Sequence, residues 1–302
     1  MKKLNLVVSL PNNNSYQQEQ AKAAQEAALR RGAEIQLIYA DNDSVKQSSQ
    51  LLDFVQSRQS RPDGILFEPL TSTGLVRVAE AAVLAGIGWG VLNSDVDYLD
   101  RLRTLCPKVP VFEVTRDHTE IGRIQARQLA ALLPKGGNVL YVQGPANNSA
   151  AVQRTAGLES LKQQNIHLKL LRSQWTPESA QQAVTAWLRL STSRSETIHA
   201  VCCQYDGIAM GARKAFEEAF NIGDRERWLK LPFTGVDGLP AEGQAWVKQG
   251  ILAATVVAPT TTQIAIELMA QGLEKGTQPA IRTLIDLKSY PTIEELARKG
   301  TT

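Results

Sequence analysis

Strand-length apolar runs alternate with helix-length amphipathic segments along almost the whole chain. That alternation restricts the fold more than any other feature. The runs are LNLVVSL (4–10), EIQLIYA (34–40), GILFEP (64–69) and GWGVLN (88–93), then NVLYVQG (138–144), HLKLLRSQ (167–174), AVCCQY (200–205), LPFTGVD (231–237) and AATVVA (253–258). Several are apolar on both faces, as parallel strands covered by helices on each side must be. Between them, residues 15–31 place Ala21, Ala24 and Ala28 on one helical face, with Gly32 as a C-terminal cap. Residues 43–59 have a cap at Asp43 or Ser44 and turn Leu51, Leu52 and Val55 inward; further helices are expected over 149–165 and 206–221. The pattern predicts an α/β fold with parallel sheets.

The order repeats. One strand–helix series opens at Leu4 and another at Asn138, and both place Asn and Ser between the first strand and its helix, in SLPNNNSY and VQGPANNSA. Two doubly wound lobes are therefore expected, with ligand groups beyond the carboxyl ends of the strands and a cleft between lobes as the binding place. A chain of 302 residues accommodates both.

The first strand-to-helix turn contains no glycine, so it lacks the loop that cradles a nucleotide phosphate. Its asparagines offer amide donors and acceptors together, which suits a neutral polyhydroxy molecule. Asn and Ser are also ordinary caps and turn residues, and for this turn alone the structural role is favoured.

Other classes find little support. With 33 basic and 30 acidic residues the net charge is +3, which does not call for nucleic acid or an anionic membrane. Cys106, Cys202 and Cys203 make no disulfide framework; the adjacent pair is expected on opposite faces of one strand as small apolar residues. His118, His167 and His199 lie far apart, and no spacing suggests zinc. Neither a metal nor a cofactor is expected, and there is no nucleophile elbow, Walker loop or dinucleotide fingerprint. The run after Met1-Lys2-Lys3 is too short for a signal peptide and reads as the first strand, and no stretch is long and apolar enough to span a membrane. The expectation is that either a leader has been removed and Met1 added, or the protein stays in the cytoplasm.

The ordered set VVSLPNNNSYQQEQAKAAQEAA, RPDGILFEPLTSTG, VQGPANNSAAVQRTAGLES, AVCCQYDGIAMGARKAF, FTGVDGLPAEGQAWVKQGILAATV and DLKSYPT resembles the periplasmic sugar-binding proteins of the ribose-binding type, the type I periplasmic binding proteins. The same fold serves as the effector domain of lactose-repressor-like regulators. The resemblance implies a Venus-flytrap in which two lobes, residues 1–116 plus 259–286 and 117–258 plus 287–302, are joined by a three-strand hinge and close around a small molecule.

Carried over position by position, it implies ligand contacts at Ser9, Asn13, Tyr16, Glu68, Asn93, Arg116, Arg154, Trp175, Tyr205 and Asp237. Trp175 matches a residue that stacks on a sugar face, Arg154 one that binds ring or hydroxyl oxygens, and Asp237 a hydroxyl acceptor. There are departures. Asn93-Ser94 stands where sugar binders usually carry Asp-Arg, Tyr205 where an Asn is frequent, Ala258 where a hinge Gln is frequent, and Arg116 where a small polar residue is common. A sugar, deoxy sugar, sugar alcohol, cyclitol or modified metabolite all remain open as ligand. The implied protein is a monomer without catalytic activity, in the periplasm or cell envelope, delivering its ligand to the permease of an ABC importer or to a sensor kinase. The alternatives are a sensor-associated or regulatory module without a DNA-binding head, since Leu4 already begins the first strand, and an enzyme using Glu68 and Asp237 as a carboxylate pair.

Overall fold

Parallel pairing dominates both sheets of the computed structural model, which describes residues 3–71, 74–190, 196–219 and 222–299. The expected helix end at residues 220–221 and the chain ends at 1–2 and 300–302 lie outside them. The strands are β1 (Asn5–Leu10), β2 (Glu34–Tyr39), β3 (Gly64–Phe67), β4 (Gly88–Leu92), β5 (Val111–Thr115), β6 (Gly137–Gln143), β7 (Ile166–Arg172), β8 (Ala200–Cys203), β9 (Phe233–Asp237), β10 (Ala254–Val257), β11 (Arg282–Leu284) and β12 (Lys288–Tyr290). The helices are α1 (Ser15–Arg31), α2 (Ser44–Gln56), α3 (Val76–Leu84), α4 (Leu99–Leu105), α5 (His118–Leu132), α6 (Ser149–Leu161), α7 (Pro177–Leu188), α8 (Asp206–Glu217), α9 (Ile222–Leu229), α10 (Gly243–Lys248), α11 (Thr262–Lys275) and α12 (Ile293–Lys299).

These elements form two compact units. One runs to Arg116 and takes in Thr260–Ile285; the other holds Asp117–Pro259 and everything from Asp286 onward. The first contains the sheet β11-β5-β4-β3-β1-β2, the second the sheet β12-β10-β9-β8-β6-β7. Each is doubly wound about its first strand, with the crossovers reversing between β1 and β3 and between β6 and β8. Only β12 runs antiparallel to its neighbour, β10, among the described pairings.

Period-two alternation divides each strand between two cores. In the first unit Val7, Ile65, Phe67, Trp89, Val91 and Val111 face α2, α3 and α4. Leu6, Val8, Leu10, Leu66, Phe112 and Val114 face α1 and α11. Met269 of α11 lies so close to β3 and β4 that a Cβ at Gly64 or Gly88 would overlap its sulfur, which accounts for glycine opening both strands. In the second unit Cys203 packs with α7 and α8 while Cys202 packs with α5 and α6, so the vicinal cysteines do point to opposite faces. Burial pushes the Cys202 thiol up to about 12.

Several helices stop short of the expected ends. The second ends at Gln56, the helix from Ser149 at Leu161 and the helix from Asp206 at Glu217. Asp43 is the cap of α2, its side chain accepting from Val45 and Lys46 N–H, and Gly32 closes α1 in the left-handed conformation. Strands β5, β11 and β12 are additions to the expected set. Glu113 in the middle of β5 breaks the apolar run, yet it is buried and paired with Arg282 of β11.

Helices α5 and α6 meet through glycine. A Cβ at Gly122 would overlap the backbone carbonyl of Arg154, and one at Gly157 that of Thr119. Backbone cannot swing aside as a side chain can. Gly157→Ala is therefore expected to lower unfolding stability by about 1–3 kcal/mol, read as a fall in the denaturant midpoint; an unchanged midpoint would show that the two helices separate freely.

Candidate functional site

Polar side chains gather at the carboxyl end of each sheet, beside the strand where the winding reverses. In the first unit Ser9 lies near the end of β1, Glu68 directly follows β3, Asn93 follows β4 and Arg116 follows β5. Tyr16 and Gln17 come from the first turn of α1.

The Glu68 carboxylate is the focus. Its Oε2 accepts from Gln17 Nε2 at 3.0 Å and from Asn93 Nδ2 at 2.9 Å. Asn93 Nδ2 also donates to Tyr16 Oη at 2.8 Å, so both amide hydrogens of Asn93 serve this cluster. Its φ of 55° is a left-handed conformation that Asn tolerates better than most residues. Tyr16 Oη accepts in addition from Gln20 Nε2 and from Arg116 Nη2, the latter at 2.6 Å, and the Arg116 guanidinium lies 4.5 Å from the Tyr16 ring centre. Tyr16 and Arg116 are buried, Glu68 and Asn93 half-buried. The cluster brings together one carboxyl group, Glu68, and one guanidinium, Arg116.

Two expected contacts sit differently. Ser9 is fully buried, with Oγ 3.5 Å from Gln47 Nε2, beneath the Glu68 loop rather than beside its carboxylate. Asn13 is exposed, and its backbone carbonyl accepts from Gln18 Nε2. Its neighbours have structural tasks: Asn14 caps α1, and Asn12 accepts from Asn14 N–H and donates to Asn42.

In the second unit Arg154 reaches from α6, Trp175 follows β7, Tyr205 opens α8 and Asp237 ends β9. Arg154 is buried. Its Nη1 donates to the Gln204 carbonyl, its Nε to His118 Nδ1 at 3.4 Å, and its guanidinium stands 5.5 Å from the Trp175 ring centre. Trp175 is half-buried and lies where a Cβ on Gly144 would be, so that glycine makes room for the indole. Tyr205 packs into the core in the same way against Gly207. Gln204 ties the strand ends together, accepting from Gly144 N–H at 2.9 Å and donating to Tyr141 Oη and the Ala151 carbonyl at 2.8 Å each.

Asp237 is buried at a φ of 102°, which is rare for any residue but glycine. Beside it lies Asp206, in which sequence reasoning saw only a helix start. Asp206 is fully buried and accepts from Gly238 N–H at 2.8 Å and from the Thr255 hydroxyl at 2.7 Å. Burial, then the charge of Asp237 and, more weakly, that of Glu242, push its pKa well above the usual carboxylate range; the two hydrogen bonds oppose them. Gln17, Gln20, Gln204 and Asp206 were all missed by sequence reasoning. The available signal was a polar residue on an otherwise apolar helix face, or directly after an apolar strand.

An acid with a raised folded pKa holds its proton better in the folded state than in the unfolded one. The stability Asp206 contributes is therefore complete below its ordinary value of 3.8 and is lost as pH rises toward its folded value. Asp206→Asn has no proton to lose, so the melting temperature of the variant minus that of the wild type should grow as pH rises above 3.8. A flat difference would mean that the carboxyl ionises in the folded protein as readily as in water.

The arrangement offers hydroxyl acceptors in carboxylates, and donors in amides and guanidinium groups. Among the described residues no group of histidines, cysteines and carboxylates is placed to hold a metal ion, and no helix is long and apolar enough to cross a membrane. Residues 6–277 match the family model described as periplasmic binding protein domain. The chain is 28% identical over 248 residues to the D-allose-binding periplasmic protein of Escherichia coli, covering 81% of this chain and 75% of that one. It is 25% identical over 248 residues to the xylitol-binding protein of Mycolicibacterium smegmatis, covering 80% of this chain and 64% of that one. In fold it is similar to the crystal structure of a periplasmic solute-binding protein of an ABC transporter from Actinobacillus succinogenes with bound D-allose. That likeness has a TM-score of 0.80 at 22% identity and covers 98% of this chain and all of that one.

Proposed function

The chain belongs to the periplasmic binding protein family, and from that membership we propose that it is a non-catalytic solute-binding protein for a neutral polyhydroxylated molecule, a sugar or sugar-like polyol. The observation that carries the reading is the Glu68 carboxylate, fixed at a sheet's carboxyl end by the amides of Gln17 and Asn93. Such a group accepts ligand hydroxyls in charge-assisted hydrogen bonds. The names of the curated relatives, allose- and xylitol-binding proteins, point to the same class of ligand.

In this reading Glu68, Tyr16 and Arg116 are the first unit's candidates for ligand contact, and Arg154, Trp175 and Asp237 are the second unit's. The family supports delivery to the membrane permease of an ABC importer from the periplasm or envelope. The absence of catalysis is supported by the state of the obvious nucleophiles. Cys202 and Cys203 are fully buried with raised pKa values, and the Glu68 carboxylate is engaged by two amides.

The deciding experiment is a thermal-shift screen with D-allose, D-ribose, xylitol, myo-inositol and amino acids. A ligand at a hundredfold excess over its Kd adds about 2.7 kcal/mol of stability, so a polyol hit raises the melting temperature clearly; hits confined to amino acids would replace this reading. Two substitutions refine it. Asp237→Asn should weaken binding by about 1.5–3 kcal/mol, the worth of a charge-assisted hydrogen bond, while the melting temperature of the free protein stays close to that of the wild type. Trp175→Ala should cost about 1–2 kcal/mol of binding through loss of a stacking face. Titration calorimetry checks both, and unchanged affinity would remove the residue concerned from the site.

A further inference from the structure

The turn after β9 is held at three points. The Asp237 carbonyl accepts from Ala258 N–H at 3.1 Å, the Gly238 carbonyl from Gln244 Nε2 at 2.7 Å, and Gly238 N–H donates to the Asp206 carboxyl. The third point is the one that bears on Asp237. Its φ of 102° and the φ of 58° at Gly238 place two successive residues at positive φ, a conformation an L-residue adopts only when its surroundings impose it. The Asp206 carboxyl grips the peptide N–H that leaves Asp237, and Thr255 of β10 anchors the other oxygen of that carboxyl.

The fold makes room for this grip. A Cβ at Gly235 would overlap Asp206 Oδ1, and one at Gly243 would overlap Oδ2. Two elements, β9 and α10, thus lack side chains where Asp206 sits. A fully buried carboxyl beside a second carboxylate is a costly way to fill a core position. Its return is geometric: it fixes a backbone N–H that an apolar residue of the same size cannot hold.

We infer that Asp206 is a positioning residue that sets the direction of the Asp237 carboxyl. The consequence for ligand affinity rests on the proposed role of Asp237, whereas the effect on the turn does not. Burial and the charge of Asp237 favour the protonated form of Asp206. Asparagine is therefore its near equivalent, accepting from Gly238 N–H through its carbonyl and donating to Thr255 Oγ1 through its amide.

The test uses the full chain with Asp206→Ala, Asp206→Asn and Thr255→Val. Hydrogen exchange of the Gly238 amide is followed by NMR without ligand, and Kd is measured for whichever of D-allose, D-ribose, xylitol and myo-inositol binds the wild type. Asp206→Ala should speed Gly238 exchange and weaken binding, each by about tenfold or more, while Asp206→Asn stays within about threefold of the wild type in both. If the alanine variant does not fold, Thr255→Val, which frees one carboxyl oxygen and leaves Gly238 and Asp237 untouched, should show the same two effects in weaker form. Wild-type exchange at Gly238 in Asp206→Ala, or in Thr255→Val where the alanine variant does not fold, overturns the inference, as does a loss in Asp206→Asn equal to that in Asp206→Ala. Faster exchange with unchanged affinity in Asp206→Ala overturns it where Asp237→Asn weakens binding, because the turn then moves without moving the ligand contact; where Asp237→Asn also leaves affinity unchanged, the proposed role of Asp237 is what fails. If none of the four polyols binds the wild type, the proposed function is what fails, and the exchange result alone decides for or against Asp206.

Discussion

A carboxylate at the buried end of a parallel strand is tolerated only where fixed donors meet it. That constraint organises the polar residues at the carboxyl ends of both sheets. The two units satisfy it differently. Glu68 is met by side-chain amides, Gln17 from α1 and Asn93 after β4, so its geometry depends on two short helical and loop segments. Asp206 is met by a backbone N–H and a strand hydroxyl, so it is locked into β9 and β10 themselves. The first arrangement presents a carboxylate; the second buries a carboxyl group and steadies its neighbour.

The sheet topology supplies the places where this can happen. In each unit the winding reverses beside the first strand, and there the following helices leave the sheet in opposite directions. Tyr16, Gln17 and Glu68 stand at that point in the first unit, and Gly144, Gln204 and Asp206 in the second. Glycines then bring the supports close: Gly122 and Gly157 press α6, which carries Arg154, against α5, and Gly144 yields its side-chain space to Trp175. The candidate site is thus held in place by backbone contacts as much as by hydrogen bonds.

The layered architecture was legible because apolar periodicity reports burial directly. Ala21, Ala24 and Ala28 face inward as their spacing requires, and Asp43 and Gly32 cap as their types require. The same logic hid β5. Glu113 interrupts the apolar run, and in the fold it is buried while its partner Arg282, far along the chain, stays exposed. Long-range pairing also hid Gln17, Gln20 and Asp206, whose partners lie in other elements. Helices were expected too long because Gln and Lys continue a helical pattern without ending it, while the chain leaves α6 at Leu161 to enter β7. Family resemblance pointed to Arg154, Trp175 and Asp237, but their supports His118, Gly144 and Asp206 emerged only from the structure.

The central claim is that these groups take a neutral polyol. It is tested most directly by titration calorimetry of the full chain with D-allose, D-ribose, xylitol and myo-inositol, each at low and at high salt. Binding of an uncharged ligand should be saturable and nearly independent of ionic strength. Failure of all four polyols, together with binding of a phosphorylated sugar that weakens steeply with salt, would contradict the account.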